Sequence, residues 1–272
     1  MLETIKKQWS AKTAVVFFIL LTAWWIILQF MNLPHESEYN QLWAAVYGLV
    51  ALWGGIWGVI ISQKWGGLQS VMGKSILFFA LGLLSQEIGQ VLYSYYIYFL
   101  HQPIPYPSVG DYFFWATVPL YIIAVIYLAR ASGVHISLRS VTGKLQAVLI
   151  PAGILLLCYA IFLQGYEFDW ADPIKILIDL GVPIGEAVYI SIALLTYMLT
   201  RGLLGGIMKN KVLFILIALL GEFIADWVFL YQASREIWYA GGINDYMYFV
   251  AYSLMVLGLL QLNTVLAKIR NK

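Results

Sequence analysis

Eight stretches of about twenty residues carry almost no charge, roughly 13 to 31, 41 to 62, 76 to 100, 112 to 129, 145 to 164, 182 to 200, 212 to 231 and 246 to 266. That length matches a hydrocarbon core about 30 Å thick crossed at 1.5 Å of rise per residue. Lipid offers no partner to a bare backbone N–H or C=O, so each crossing must close its hydrogen bonds internally as an α-helix. The expected fold is an all-α integral membrane protein with about eight transmembrane helices. Composition agrees: 62% of the residues are apolar and 11% charged, against about 25% charged in an ordinary soluble domain. Connections are short, and residues 1-272 are read as a single transmembrane domain embedded in a lipid bilayer.

Basic residues orient the chain. With the N-terminus in the cytoplasm, the cytoplasmic segments hold 14 of the 16 lysines and arginines: Lys6, Lys7, Lys12, Lys64, Lys74, Arg130, Arg139, Lys144, Arg201, Lys209, Lys211, Lys268, Arg270 and Lys272. Only Lys175 and Arg235 fall outside. This is the positive-inside bias at every loop, and it requires an even number of crossings. The acidic residues of the connections lean the other way, with Glu36, Glu38, Glu167, Asp169, Asp172, Asp179 and Glu236 outside and Glu3 inside. A multi-pass cell-membrane protein with both termini cytoplasmic is expected. The first run is too long for a secretory signal and lacks an A-x-A site, so it reads as an uncleaved anchor. Pro119, Pro151 and Pro183 fall within helices, where bundles tolerate kinks. Trp43, Trp115, Trp170 and Trp238 fit an outer aromatic belt, and Trp9 and Trp65 an inner one.

The halves of the chain match each other. Leu83-Leu84-Ser85-Gln86-Glu87-Ile88-Gly89-Gln90 aligns with Leu219-Leu220-Gly221-Glu222-Phe223-Ile224-Ala225-Asp226, Asp111-Tyr112 with Asp245-Tyr246, and Ala45-Val46-Tyr47 with Ala187-Val188-Tyr189. The matches keep the same order, which points to a repeat: repeat one over residues 1-137 and repeat two over 138-272. Each unit holds four helices, an even number, so the two are expected to be parallel and related by an axis along the membrane normal.

Carboxylates inside the membrane are costly, about 2.5 to 3.5 kcal/mol at a helix centre on insertion scales, and mark candidate functional sites. Glu222 and Asp226 are four residues apart and share a helical face, as do Gln86 and Gln90, with Glu87 beside them and Glu186 a turn into the sixth helix. These side chains are expected to line a polar cavity open to the outside, together with Tyr47, Tyr189, Tyr112 and Tyr246. Such a cavity could take a small ligand, a cation or protons. The competing reading is that the polar groups only bond helix to helix, and that Asp111 and Asp245 are N-terminal caps, Ser108-x-x-Asp111 forming a capping box.

Other chemistries find no support. No lysine lies within an apolar run, which excludes a retinal Schiff base. His35, His101 and His135 lie in connections without metal-ligand spacing, and a lone Cys158 forms no intrachain disulfide, so no metal site and no particular cofactor are indicated. G-x-S-x-G and P-loop patterns are absent. A net charge of +2 without a basic patch gives no reason to expect nucleic acid.

The string Pro105-Tyr106-Pro107-Ser108-Val109-Gly110-Asp111, after a polar helix ending in Tyr95-Tyr96 and before an apolar helix ending in Leu128-Ala129-Arg130, resembles the multi-helix membrane input region found ahead of histidine kinase, PAS and GGDEF diguanylate cyclase domains in bacteria and archaea. The resemblance covers most of the chain through the two repeats. Such regions commonly carry a Gly-Asp pair in the third helix; here Gly89 is followed by Gln90, and the acidic counterpart is Asp226 in the second repeat. It implies a ligand-sensing or accessory module. The sequence ends a few residues beyond the eighth run, so a separate signalling partner protein is expected to transmit the signal. Two other classes stay open: a membrane enzyme acting on lipid, such as a lysoplasmalogenase-like hydrolase with Glu222 and Asp226 as acid and base, and a small transporter using midplane carboxylates.

Overall fold

The computed structural model describes residues 2–102, 104–105, 107–132, 140–163, 170–171, 173–200, 209–233, 235 and 237–270. The loop positions of Arg139, Glu167, Asp169, Asp172, Arg201 and Glu236, with His135, Tyr106 and Lys272, lie outside them. Eight helices are long and apolar enough to cross a membrane: α1 (Trp9–Met31), α2 (Glu38–Lys64), α3 (Val71–Tyr98), α4 (Val109–Ala131), α5 (Val141–Ile161), α6 (Pro173–Met198), α7 (Val212–Ala233) and α8 (Ile243–Ala267). A short helix, Leu2–Lys7, precedes α1, and no strand occurs among the described residues.

Two helices depart from the hydropathy reading. α6 begins at Pro173, well before residue 182. Lys175 and Asp179 dilute its first turns, yet Ile178 and Asp179 line an internal cavity, where a polar side chain is tolerated. α2 is interrupted at Gly48, giving Glu38–Tyr47 and Leu49–Lys64. The cause is a side chain inserted into the helical ladder. Gln90 Nε2 of α3 donates to Ala44 O at 2.7 Å, taking the acceptor that Gly48 N–H would use, and Gly48 N–H turns to Val46 O. A Cβ at residue 48 would stand 2.2 Å from Glu87 Oε2, so any larger residue there would have to displace the Glu87 carboxyl.

The packing is inside-out relative to a soluble domain. Leu20, Ile27 and Leu156 are exposed on the circumference, whereas Gln86, Glu87, Glu186 and Glu222 are buried. An apolar rim with carboxyl groups within suits a bilayer. α3 lies against α4, and α7 against α8; α2 packs on α3 and α8, while α6 packs on α7 and α4. α1 and α5 are peripheral, α5 resting on α6 with none of its apolar window buried. Pro119, Pro151 and Pro183 lie inside α4, α5 and α6. Trp43 does not face lipid: it is fully buried, and its indole N–H donates to Leu21 O at 2.9 Å. A helix that faces neighbours on that side draws even a belt-type residue into the core.

Candidate functional site

Helical spacing assembles the site. Glu222 and Asp226 project from the inner face of α7, while Ile217, Leu220 and Ile224 on its other side are exposed. Gln86 of α3 reaches across to them. Its Nε2 donates to Glu222 Oε1 at 2.7 Å, and its Oε1 accepts from the Tyr252 hydroxyl of α8 at 3.0 Å. A carboxylate on one side and a hydroxyl donor on the other fix the orientation of the amide. Four residues earlier on α8, Tyr248 donates to Asp226 Oδ1 at 2.6 Å. On α6, Tyr189 sits three residues beyond Glu186, on the same face, and donates to Glu186 Oε1 at 2.5 Å.

Glu186 and Asp226 have their carboxyl groups within hydrogen-bonding reach of each other. Gln90, the counterpart of Asp226 in the sequence match, occupies a milder position: Tyr47 donates to its Oε1 at 3.5 Å, and its own donor is committed to Ala44 O at 2.7 Å.

Asp111 caps α4, as the Ser108-x-x-Asp111 capping box predicts, and Asp245 bonds back to the turn before α8. Asp111 Oδ2 accepts from Ser108 N at 2.6 Å and from Ser108 Oγ at 2.8 Å, and Asp111 Oδ1 from Tyr93 Oη at 2.5 Å. Asp245 Oδ2 accepts from Gly241 N at 2.7 Å. Ser108→Ala removes one side-chain cap of α4, so a loss of about 1 kcal/mol is expected. A lowered unfolding temperature in detergent would register it; an unchanged one would show that Tyr93 suffices to hold Asp111.

A cavity of about 140 Å³ runs between these groups, lined by Tyr47, Gln86, Gln90, Asp111, Glu186, Tyr189, Glu222, Asp226 and Asp245. From Gln86 and Glu222 it extends toward Ile104, Trp238 and Ala240 in the segments joining α3 to α4 and α7 to α8. Both aspartates therefore also face it. Glu87 does not: a neighbour of Gln86 in sequence points about 100° away on a helix, and it lies instead against the break at Gly48. Tyr112 is exposed, and Tyr246 stacks on Trp25 at 4.3 Å between α8 and α1; neither lines the cavity.

Sequence reasoning passed over Tyr93, Asp179, Asn244, Tyr248 and Tyr252, which also line it. Asn244, Asp245, Tyr248 and Tyr252 form a polar stripe at helical spacing along α8, a signal present in the sequence and obscured by the abundance of tyrosine.

No His, Cys, Lys or Arg is among the described lining residues. The two lining hydroxyls outside tyrosine are tied to their own helices, Ser94 to Gln90 O at 2.9 Å and Thr117 to Phe113 O at 3.3 Å. Among the described residues no group of three His, Cys, Asp or Glu side chains is placed to hold a metal ion. The polar part of the wall is a set of carboxyl, amide and phenol groups. No family model, no curated protein and no solved structure matches the chain.

Proposed function

We propose that the chain is a membrane-embedded ligand-sensing module in which two parallel four-helix repeats enclose a cavity that faces the outside of the cell. The observation that carries this reading is the Gln86–Glu222 hydrogen bond, 2.7 Å long. The sequence match makes these two positions equivalent, and equivalent positions touch only where they meet an axis relating the halves. A ligand at that point contacts both halves at once and biases their relative arrangement, which is what a sensor requires.

Further support for the repeat comes from exchanged neighbours. α2 packs on α8 as α6 packs on α4, the pairing that a shift of four helices demands. Gln90 meets Ala44 as Asp226 meets Glu186, and Asp111 and Asp245 each bond back to the segment ahead of the fourth helix of their unit.

Orientation rests on the basic-residue bias. Reporter fusions after Lys74, Lys144, Lys209 and Lys272 are expected to read cytoplasmic, and those near Glu38, Asp172 and Arg235 external. An external C-terminus would remove the outward-facing cavity. The function itself is tested by mass spectrometry of the protein purified from its native membrane, followed by activity assays in liposomes. An intact small molecule released on denaturation, with neither lipid turnover nor ion-driven uptake, is the expected result. Turnover of a lipid would replace the sensor with an enzyme, and uptake would replace it with a transporter.

A further inference from the structure

Resting on the reading of this cavity as a ligand site, we infer that its ligand is a small organic cation bearing N–H donors, a protonated primary or secondary amine. Charge is the first argument. Six carboxyl groups line the cavity, from Asp111, Asp179, Glu186, Glu222, Asp226 and Asp245, and no basic side chain among the described residues does. An anion entering here would be buried without compensation, whereas a cation supplies the charge the wall lacks.

Hydrogen-bonding capacity is the second. Glu186 Oε2 and Asn244 Oδ1 are buried acceptors with no donor, in side chains 2% and 0% exposed. The phenol protons of Tyr189, Tyr248 and Tyr252 are already committed to Glu186, Asp226 and Gln86. Acceptors in want of a proton call for a ligand that brings N–H groups, and a quaternary ammonium would leave both unmet. One lining donor, Trp238 Nε1, is also unpartnered and can serve a single acceptor elsewhere on the ligand.

Ring faces are the third. Tyr47, Tyr248 and Tyr252 form a stacked run with centroid separations of 6.2 and 6.1 Å, a set of ring faces whose quadrupoles attract a desolvated cation. Size sets the limit: about 140 Å³ is on the scale of the roughly 150 Å³ cavity that admits one benzene. That is far more room than a proton needs, and a bare metal ion would find no three-ligand group among the described residues.

The test uses three ring-matched probes, benzylamine, benzyl alcohol and benzoate, titrated calorimetrically at neutral pH into the full chain in lipid nanodiscs. Benzylamine is expected to bind at least about tenfold more tightly than benzyl alcohol, with benzoate giving no heat. Glu186→Gln should reduce the benzylamine affinity by about tenfold and that for benzyl alcohol by less; should this variant misfold, the ranking on the unaltered protein still decides. If the alcohol or benzoate binds as tightly as the amine, the cationic ligand is wrong and the cavity remains a ligand site. Binding of none of the three overturns both.

Discussion

With Glu222 changed to Gln and Asp226 to Asn, the protein is expected still to insert and fold and to lose the binding of its ligand. The amides nearly match the carboxyl groups in shape. A Gln at position 222 still presents an oxygen to Gln86 Nε2, and an Asn at 226 still presents one to the Tyr248 hydroxyl, so both observed hydrogen bonds, 2.7 and 2.6 Å, survive. Removing two acidic groups from the membrane interior also lowers the insertion cost, which is about 2.5 to 3.5 kcal/mol for an aspartate at a helix centre. The unfolding temperature should therefore stay level or rise. What disappears is charge. Hydrogen bonds to charged groups contribute about 1.5 to 3 kcal/mol each, and losing two weakens binding by about a hundredfold or more. Calorimetry or ligand-detected mass spectrometry reads the affinity, and circular dichroism the fold. Wild-type affinity in a folded double variant would remove these carboxyl groups from the site.

Gly82→Leu is expected to abolish the folded bundle. A Cβ at residue 82 of α3 would lie 2.1 Å from Tyr121 Cε1 and 2.6 Å from Cδ1. Tyr121 cannot swing aside: it is fully buried, with its ring centroid 5.7 Å from that of Phe79 and 5.9 Å from that of Tyr189. Close helix contact through small residues substitutes for the hydrophobic driving force that lipid does not provide. The same device recurs in α2, where Gly54 and Gly58 press on Val256 and Leu259 of α8 and on Leu83 and Ala80 of α3. Extra methylenes in a packed core cost about 1 to 3 kcal/mol, and a whole leucine side chain against an immobile ring exceeds that range. Loss of the monodisperse species on size exclusion in detergent is the readout. Gly153→Leu is the control, since nothing lies within 4 Å of a Cβ there, and it should behave as wild type. A Gly82→Leu protein that melts like the control would contradict the α3–α4 contact.

Parts of the site were legible because they rest on local rules. Four-residue spacing placed Glu222 with Asp226 and Gln86 with Gln90 on common faces, and all four line the cavity. The cap at Asp111 followed from Ser108 three residues before it. Glu87 shows the limit of such reading. It lies at nearly the same depth as Gln86 and bears a carboxyl group, yet rotation about the helix axis turns it to the Gly48 break. The tyrosines show another: 19 of them are present, and nothing local separates Tyr252, bonded to Gln86, from Tyr112, which is exposed.

The sequence by itself determined the number of crossings, because each depends only on a run's length against the bilayer thickness and on the free energy of placing charge in lipid. Which sides of those helices meet was decided by tertiary structure alone. In a soluble helix polarity marks the outward face, but here lipid and core are both apolar, and side chains such as Leu20 and Leu83 differ in burial, not in chemistry. The contact of Gln86 with Glu222, the opening of α2 by Gln90 and the early start of α6 all depend on a second helix arriving at a particular angle. That angle is set by close packing at residues such as Gly54 and Gly82, through contacts between segments far apart in the chain.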